Sequence, residues 1–411
     1  MACQDEFTCL DSLTTSSKPP LPLTLPLTSS EPLLESLLEQ LCAGGLSALP
    51  EAIRLLMNAA MRAERQQYLG AAPHERTPER VAYANGYKDK TVQTRVGEIT
   101  FAVPQVREGG FYPQALEKGL RSERALKLAL AEMYVQGVST RKVAAITEQL
   151  CGVSINSTQV SRAAAELDEV LERWRNRPLG SIRYLYLDAR YENVRLDGRV
   201  RDAAVLIAAG VDEQGRRQIL GVSVSLSEHE VHWRTFLKSL VSRGLSGVRL
   251  IVSDDHAGLG AARQAVFGGI PWQRCQFHLQ QNASAYVPRQ EMKPEVAATL
   301  RSVFNAQDRA EAEALLKRAV EKYDKSASKL AQWMQEAIPE GLTVFSFPAE
   351  HRRLIRTTNG LERVNQEIRR RTRVARLFPN EASCLRLVSA VLMETSEDWQ
   401  TGKVYLNATD S

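Results

Sequence analysis

No apolar run in this 411-residue chain approaches the roughly 18 residues that a membrane-spanning helix needs. A helical membrane protein is therefore not expected. There is also no Cys-x-x-Cys pair, because Cys3, Cys9, Cys42, Cys151, Cys275 and Cys384 are scattered. Scattered thiols argue against a disulfide framework and against a four-ligand zinc site. The N-terminus lacks a secretion signal: Asp5 and Glu6 stand where positive charge belongs, and no clean apolar block comes after them. A cytoplasmic protein with reduced thiols is the expectation.

The remaining composition is that of a globular chain, 44% hydrophobic and 25% charged. Its length suggests roughly two or three domains. The net charge of +5 is weak evidence by itself. Its distribution says more, since the stretch from His351 to Asn380 holds nine arginines against two glutamates. One concentrated basic patch fits a surface that faces phosphates.

Residues 1–30 read as a disordered tail, with prolines that forbid a regular helix toward its end. Residues 31–115 read as a helical region, from about Pro32 to Tyr68, and then a basic β segment from Arg80 to Pro113 with alternating polarity. Residues 116–180 contain two helix patterns. One runs from Ser139 to Leu150. The other starts at a Ser/Thr cap and carries Val160, Ala163, Leu167, Leu171 and Trp174 as an apolar stripe to Trp174. "CGVSIN" separates them with a glycine. Helix, short turn, helix is the shape of a helix-turn-helix, and equally of a plain helical hairpin. In the first reading Thr158, Gln159, Ser161 and Arg162 lie near the start of the second helix, where they can meet bases or phosphates.

Residues 181–290 carry the most information. "SIRYLYLDARYENVRL" reads as a strand, Asp197-Gly198 as a hairpin turn, and two further strands come next. A helical segment then leads to "VRLIVSDDH", a short apolar strand of the kind buried on both faces and reached by a crossover. Three antiparallel strands, a helix and a parallel strand give the element order of the ribonuclease-H-like fold. Residues 291–350 read as an all-helical insertion. Residues 351–411 read as the rest of the core, with Leu361, Val364 and Ile368 as the inward stripe of a helix. Glu362, Gln366 and Arg369 share another face of it. The expected class is α/β: a ribonuclease-H-like core with an all-helical insertion, preceded by an α-helical N-terminal region with a helix-turn-helix and a small β segment.

Asp188 ends the apolar part of the first strand, and Asp254 or Asp255 ends the fourth. Glu362 is either a third carboxylate of the same site or the distal partner of a capping box begun by Asn359. Three carboxylates form a sufficient protein share for two hard divalent ions in phosphodiester chemistry. Cys275 and His278 form a Cys-x-x-His pair, yet no further ligands stand at readable spacing. A packed strand-to-helix corner near the active site is expected there. His256 reads as a polar neighbour of Asp254.

Four segments together resemble the mutator-type transposases of bacterial insertion sequences, which are related to the Mutator elements of plants. They are "YLYLDARYENVR", "LIVSDDHAGLGAARQAVF", "WQRCQFHLQQNASAYVP" and the run from Thr357 to Trp399. The likeness extends from about residue 45 onward. It implies a catalytic triad of Asp188, Asp254 and Glu362 that holds Mg²⁺, with Mn²⁺ as a substitute. It places the family's second Asp on Asp254, not Asp255. It also implies strand cleavage and transfer at terminal inverted repeats by a homodimer or higher homo-oligomer. Target DNA is the second partner, no membrane is involved, and the setting is the bacterial nucleoid. Arg363, Arg369, Arg370, Arg371 and Arg373 are the expected phosphate contacts.

Overall fold

The computed structural model describes residues 31–73, 75–107, 110–116, 118–119, 122–373 and 377–406. The tail expected over residues 1–30 lies outside the described residues. The chain divides into two compact units, Met1–Lys127 with Ala144–Ile155, and Leu128–Val143 with Asn156–Ser411. Among the described residues, no helix is long and apolar enough to cross a membrane.

In the first unit, α1 (Glu31–Gly44) and α2 (Leu49–Leu69) replace the single helix expected there. Gly45 takes φ +55°, a conformation that glycine adopts freely, and a short 3-10 turn separates the two helices. The strand-like segment forms a hairpin of β1 (Tyr83–Thr94) and β2 (Gly97–Arg107). Alternation puts Ile99, Phe101 and Val103 of β2 on one face, where they bury Met61 of α2 together with Val92 and Leu116. Asn58 of α2 fastens the pair by accepting from the Ala102 N–H at 3.0 Å. Two of the unit boundaries fall within α3 (Arg124–Val135) and α4 (Thr140–Cys151), and the third lies between Ile155 and Asn156, just ahead of the next helix.

The second unit begins its later run with α5 (Ser157–Ala165) and α6 (Asp168–Arg175). They replace the one helix that the apolar stripe predicts as far as Trp174. The N–H groups of Glu166 and Leu167 bond three residues back, to the carbonyls of Ala163 and Ala164, and this tighter turn ends α5. The cap of α5 is Asn156, one residue ahead of the expected Ser/Thr cap, in a reciprocal capping box with Gln159.

A five-stranded sheet comes next, in the order β5-β4-β3-β6-β7. Its strands are β3 (Ile182–Leu196), β4 (Arg199–Asp212), β5 (Arg217–Ser225), β6 (Leu250–Ser253) and β7 (Trp272–Arg274). The first three form the expected antiparallel meander. Asp197 and Gly198 turn β3 into β4, both with positive φ, as a two-residue hairpin loop demands. α7 (Glu230–Ser242) then crosses over to β6, which runs parallel to β3. After α8 (Ala257–Phe267) comes β7, parallel to β6.

Alternation along β3 and β4 divides two cores. Leu185, Leu187, Leu206 and Ala208 pack with Trp233, Phe236 and Leu237 of α7. Tyr184, Tyr186, Val205 and Ile207 face the helices that come later in the chain. These are α9 (Gln276–Ala283), α10 (Lys293–Phe304), α11 (Arg309–Tyr323), α12 (Ser328–Ala337), α13 (Ala349–Ile355), α14 (Asn359–Thr372) and α15 (Glu381–Thr401).

Candidate active site

Strand register brings the two aspartates level. β3 and β6 pair Tyr184 with Leu250, Leu185 with Ile251 and Tyr186 with Val252. Asp188 lies two residues past Tyr186, and Asp254 two residues past Val252. The two acids therefore stand side by side at the ends of adjacent parallel segments. Parity assigns Asp188 to the face of Tyr184 and Tyr186, the face that α14 covers. Val252 belongs to the same face, and Asp254 with it by the same count. Asp255 turns elsewhere and pairs with Arg274 at 3.0 Å.

The glycine a few residues further along has a steric reason. A Cβ at Gly258, in the first turn of α8, would lie 2.2 Å from the Glu228 carbonyl. Any side chain there would push α8 off the loop ahead of α7 and shift the end of β6.

α14 carries the third carboxylate. Leu361, Val364 and Ile368 are buried, as the helical stripe requires. The N-cap is Thr358, so Asn359 begins no capping box and Glu362 is not committed to one. Asn365, one turn beyond Glu362, donates from Nδ2 to Oδ2 of Asp188 at 2.8 Å. The other oxygen, Oδ1, accepts from the Ala189 N–H at 3.0 Å. Sequence reasoning missed Asn365. Its only signal is the i+3 spacing from Glu362, and the expected face held Gln366 instead.

β7 passes into α9 at Cys275, whose backbone caps the helix. The buried Cys275 sulfur accepts from both the N–H and the hydroxyl of Thr358, each at 3.4 Å. That contact turns the Thr358 hydroxyl away from helix capping and ties the start of α14 to the start of α9. His278, one turn into α9, places Nε2 3.9 Å from Oε1 of Glu362.

The electrostatics arise from this crowding. Asp188 is only 6% exposed. Burial pushes its carboxyl up to about 7, with the Asp254 carboxylate adding to the rise and His278 opposing it. Asp254 is raised as well, chiefly by burial, against the pull of His278 and His256. His278 is lifted to about 9 by its contact with the Cys275 sulfur, against burial, and then by Asp188 and Asp254. Nδ1 of His278 is buried without a hydrogen-bond partner of its own among the described residues. The Cys275 thiol is lowered: burial would raise it, but His278 and Thr358 outweigh burial.

Among the described residues, no three His, Cys, Asp or Glu side chains are drawn together tightly enough to enclose a metal ion. The donor chemistry nevertheless suits a hard divalent cation. Oε1 of Glu362 is buried without a hydrogen-bond partner, and Asp188 and Asp254 repel one another. A cation relieves both. Mg²⁺ takes only one or two carboxylates beside water and phosphate, so a closed three-ligand cage is not required.

The residues expected to contact DNA divide into two groups. Thr158, Ser161 and Arg162 are exposed on α5, while Gln159 uses its Oε1 to accept from the Asn156 N–H at 2.9 Å. Arg363, Arg369, Arg370 and Arg373 are exposed. Arg371 is buried, and its guanidinium is spent on Glu367, Glu394 and the Val135 carbonyl. Arg370 also pairs with Glu367.

Comparison with known proteins agrees over most of the chain. Residues 32–402 match the family described as Transposase, Mutator family. The chain is 60% identical to the transposase for insertion sequence element IS406 of Burkholderia multivorans, over 91% of this chain and 97% of the relative. It is 47% identical to the transposase for ISRM5 of Rhizobium meliloti, over 88% and 91%. The transposase for IS256 in transposon Tn4001 of Staphylococcus aureus is 35% identical, over 86% and 91%. On this similarity, carried through nearly the full length of both partners, the chain belongs to the Mutator family of transposases.

Proposed function

We propose that this chain is the transposase of an insertion sequence and that it cuts and joins DNA through Asp188, Asp254 and Glu362 on a ribonuclease-H-like core. The observation that carries the reading is the convergence of these carboxylates around His278 at one end of the sheet. The sheet order supports the fold, with a three-stranded antiparallel meander and a crossover to a parallel strand. In this reading α10 to α12 are the all-helical insertion that separates Glu362 from the two aspartates. The relatives are named as transposases for insertion sequence elements, and in this reading the substrate is the ends of such an element.

Asp188, Asp254 and Glu362 would hold Mg²⁺, or Mn²⁺ in its place. When bound, such ions neutralise phosphate charge and activate the attacking oxygen. The protein's own groups do the rest. Asn365 fixes the Asp188 carboxylate, and the buried wall of β3 excludes bulk water behind it. His278 offsets the crowded negative charge. Exposed arginines of α14 hold the phosphates. Hydrolysis at the element end frees a 3′ hydroxyl, which then attacks a target phosphate. α5 acts as the reading helix for the terminal inverted repeats, with Thr158, Ser161 and Arg162 exposed on it. The enzyme works at the nucleoid as a homodimer or larger assembly.

The test is a cleavage and joining assay with Mg²⁺ and labelled DNA that bears the element's own ends. Wild type is expected to nick at the ends and join them to other DNA, and Glu362→Gln to bind without cutting. If both bind and neither cuts under varied metal conditions, the chain is a DNA-binding protein and not an active transposase.

A further inference from the structure

We propose that a basic cleft between β3 and α14 is a phosphate subsite for the DNA strand that adjoins the bond being cut. The proposal rests on the transposase reading above and adds Arg190 and a position along the DNA strand, both of which that reading leaves open. The cleft has a volume of about 690 Å³ and is lined by Arg190, Tyr191 and Glu192 of β3 together with Arg369, Thr372 and Arg373 at the end of α14.

Its position comes from the way helix and strand run together. Asp188 meets Asn365, the Arg190 guanidinium bonds the Asn365 carbonyl, and Glu192 accepts from Thr372 at 3.3 Å. Advancing along β3 thus advances along α14. The acids lie at one end of this shared track and the arginines further along it. Four residues separate Asp188 from Glu192, about 13 Å of strand. That distance corresponds to about four nucleotides of axial rise along a duplex strand. A phosphate seated in the cleft lies one to four nucleotides from the cut.

The charge of the cleft fits a phosphodiester. Arg190, Arg369 and Arg373 face a single carboxylate, Glu192, which Arg190 already pairs at 2.5 Å. Arg190 is held in place by that pair and by the Asn365 carbonyl. A guanidinium prepositioned on the cleft wall adds positive charge that suits a phosphate oxygen. Arg369 and Arg373 make no ion pair among the described residues, unlike Arg370 and Arg371. A second cleft among the described residues, about 440 Å³, sets Asp255, Glu336 and Glu340 against Arg274 and repels phosphate.

The experiment uses the full-length chain and duplex DNA bearing the element end, titrated in EDTA so that binding is read without cutting. Arg369→Ala and Arg373→Ala alter exposed side chains and should fold normally; Arg190→Gln is checked by melting first. Each is expected to weaken binding about tenfold and to flatten the salt slope by about 0.9 per lost contact. Single methylphosphonates are then placed at each of the four positions on either side of the cut. One of them should weaken wild-type binding by the same factor and weaken the arginine variants no further. Losses that multiply at every position, or an unchanged salt slope, overturn the subsite. Coupling without cleavage in Mg²⁺ keeps the subsite and overturns the catalytic reading. Failure of the wild type to bind the ends overturns both.

Discussion

Asn365 and Asp188 are joined by a 2.8 Å hydrogen bond, so α14 is latched to β3 at one of the acids itself. The helix that brings Glu362 is positioned by the residue that orients Asp188. Placement of Asp188 and Glu362, two of the proposed catalytic carboxylates, is therefore one structural problem with one solution.

Asn365→Ala removes the latch. It leaves an oxygen of a nearly buried carboxylate without its donor, which costs about 1–3 kcal/mol. Loosened placement should slow cleavage by up to about 100-fold. Asn365→Asp sets a further carboxylate against Asp188 and should be worse on both measures. Urea unfolding in EDTA and single-turnover cleavage check this. An Asn365→Ala protein as stable and as fast as wild type would show that the latch positions nothing.

Mg²⁺ should raise the melting temperature of the wild type, because an ion that binds only the folded site stabilises it. Glu362→Gln should lose that response. In EDTA, Asp188→Asn should melt above the wild type, since it removes a buried carboxylate held against Asp254, and the Asn365 amide, whose Oδ1 has no partner, can turn to accept from the new side-chain NH2. Equal Mg²⁺ responses in wild type and Glu362→Gln would take Glu362 out of the metal site.

Cys275 should matter as an acceptor. Cys275→Ala leaves the N–H and hydroxyl of the buried Thr358 without a partner, a loss of about 1–3 kcal/mol. Cys275→Ser keeps an acceptor and should retain most of the stability. Denaturant midpoints for the two variants decide it; equal losses would mean that only the volume of the sulfur counts.

Glu367 gives a pH signature. The hydrogen bond from Arg370 holds its carboxyl at about 2; burial opposes it, and the bond and charge of Arg371 add to the lowering. The folded value lies below the unfolded one near 4.5, so the contribution is present above about pH 4.5 and is lost as pH falls through 2. Glu367→Gln should flatten the acid limb of the stability curve. An identical acid limb in the variant would show that the pair adds nothing net.

Some of this site is legible in the sequence. Asp188 stands out because an acid closes an apolar strand, and the burial of that strand makes its position unusual. Asp254 and Asp255 cannot be separated that way. β6 is buried on both faces, and only its register against β3 puts Asp254 level with Asp188. The phase of α14 about its own axis is a tertiary property. The inward stripe is readable, but whether Asn365 or Gln366 meets the strand depends on where the sheet lies. The arginine run is the sharpest case. Its residues look alike in sequence, yet steps of about 100° send Arg371 inward to Glu367 and Glu394 while Arg369 and Arg373 stay exposed. The break at Glu166 and Leu167 has no proline or glycine to announce it.

The parallel run of α14 along β3 makes the helix a ruler that cannot change length. One residue added between Glu362 and Arg369 would rotate everything beyond it by about 100°. Acid, latch and arginines would then point to different neighbours. The connector from Ile338 to Pro348, made of short 3-10 turns, imposes no such phase on the helices beyond it. Variation in length among these enzymes should therefore collect before Ala349, and α14 should keep its residue count wherever the reaction is kept.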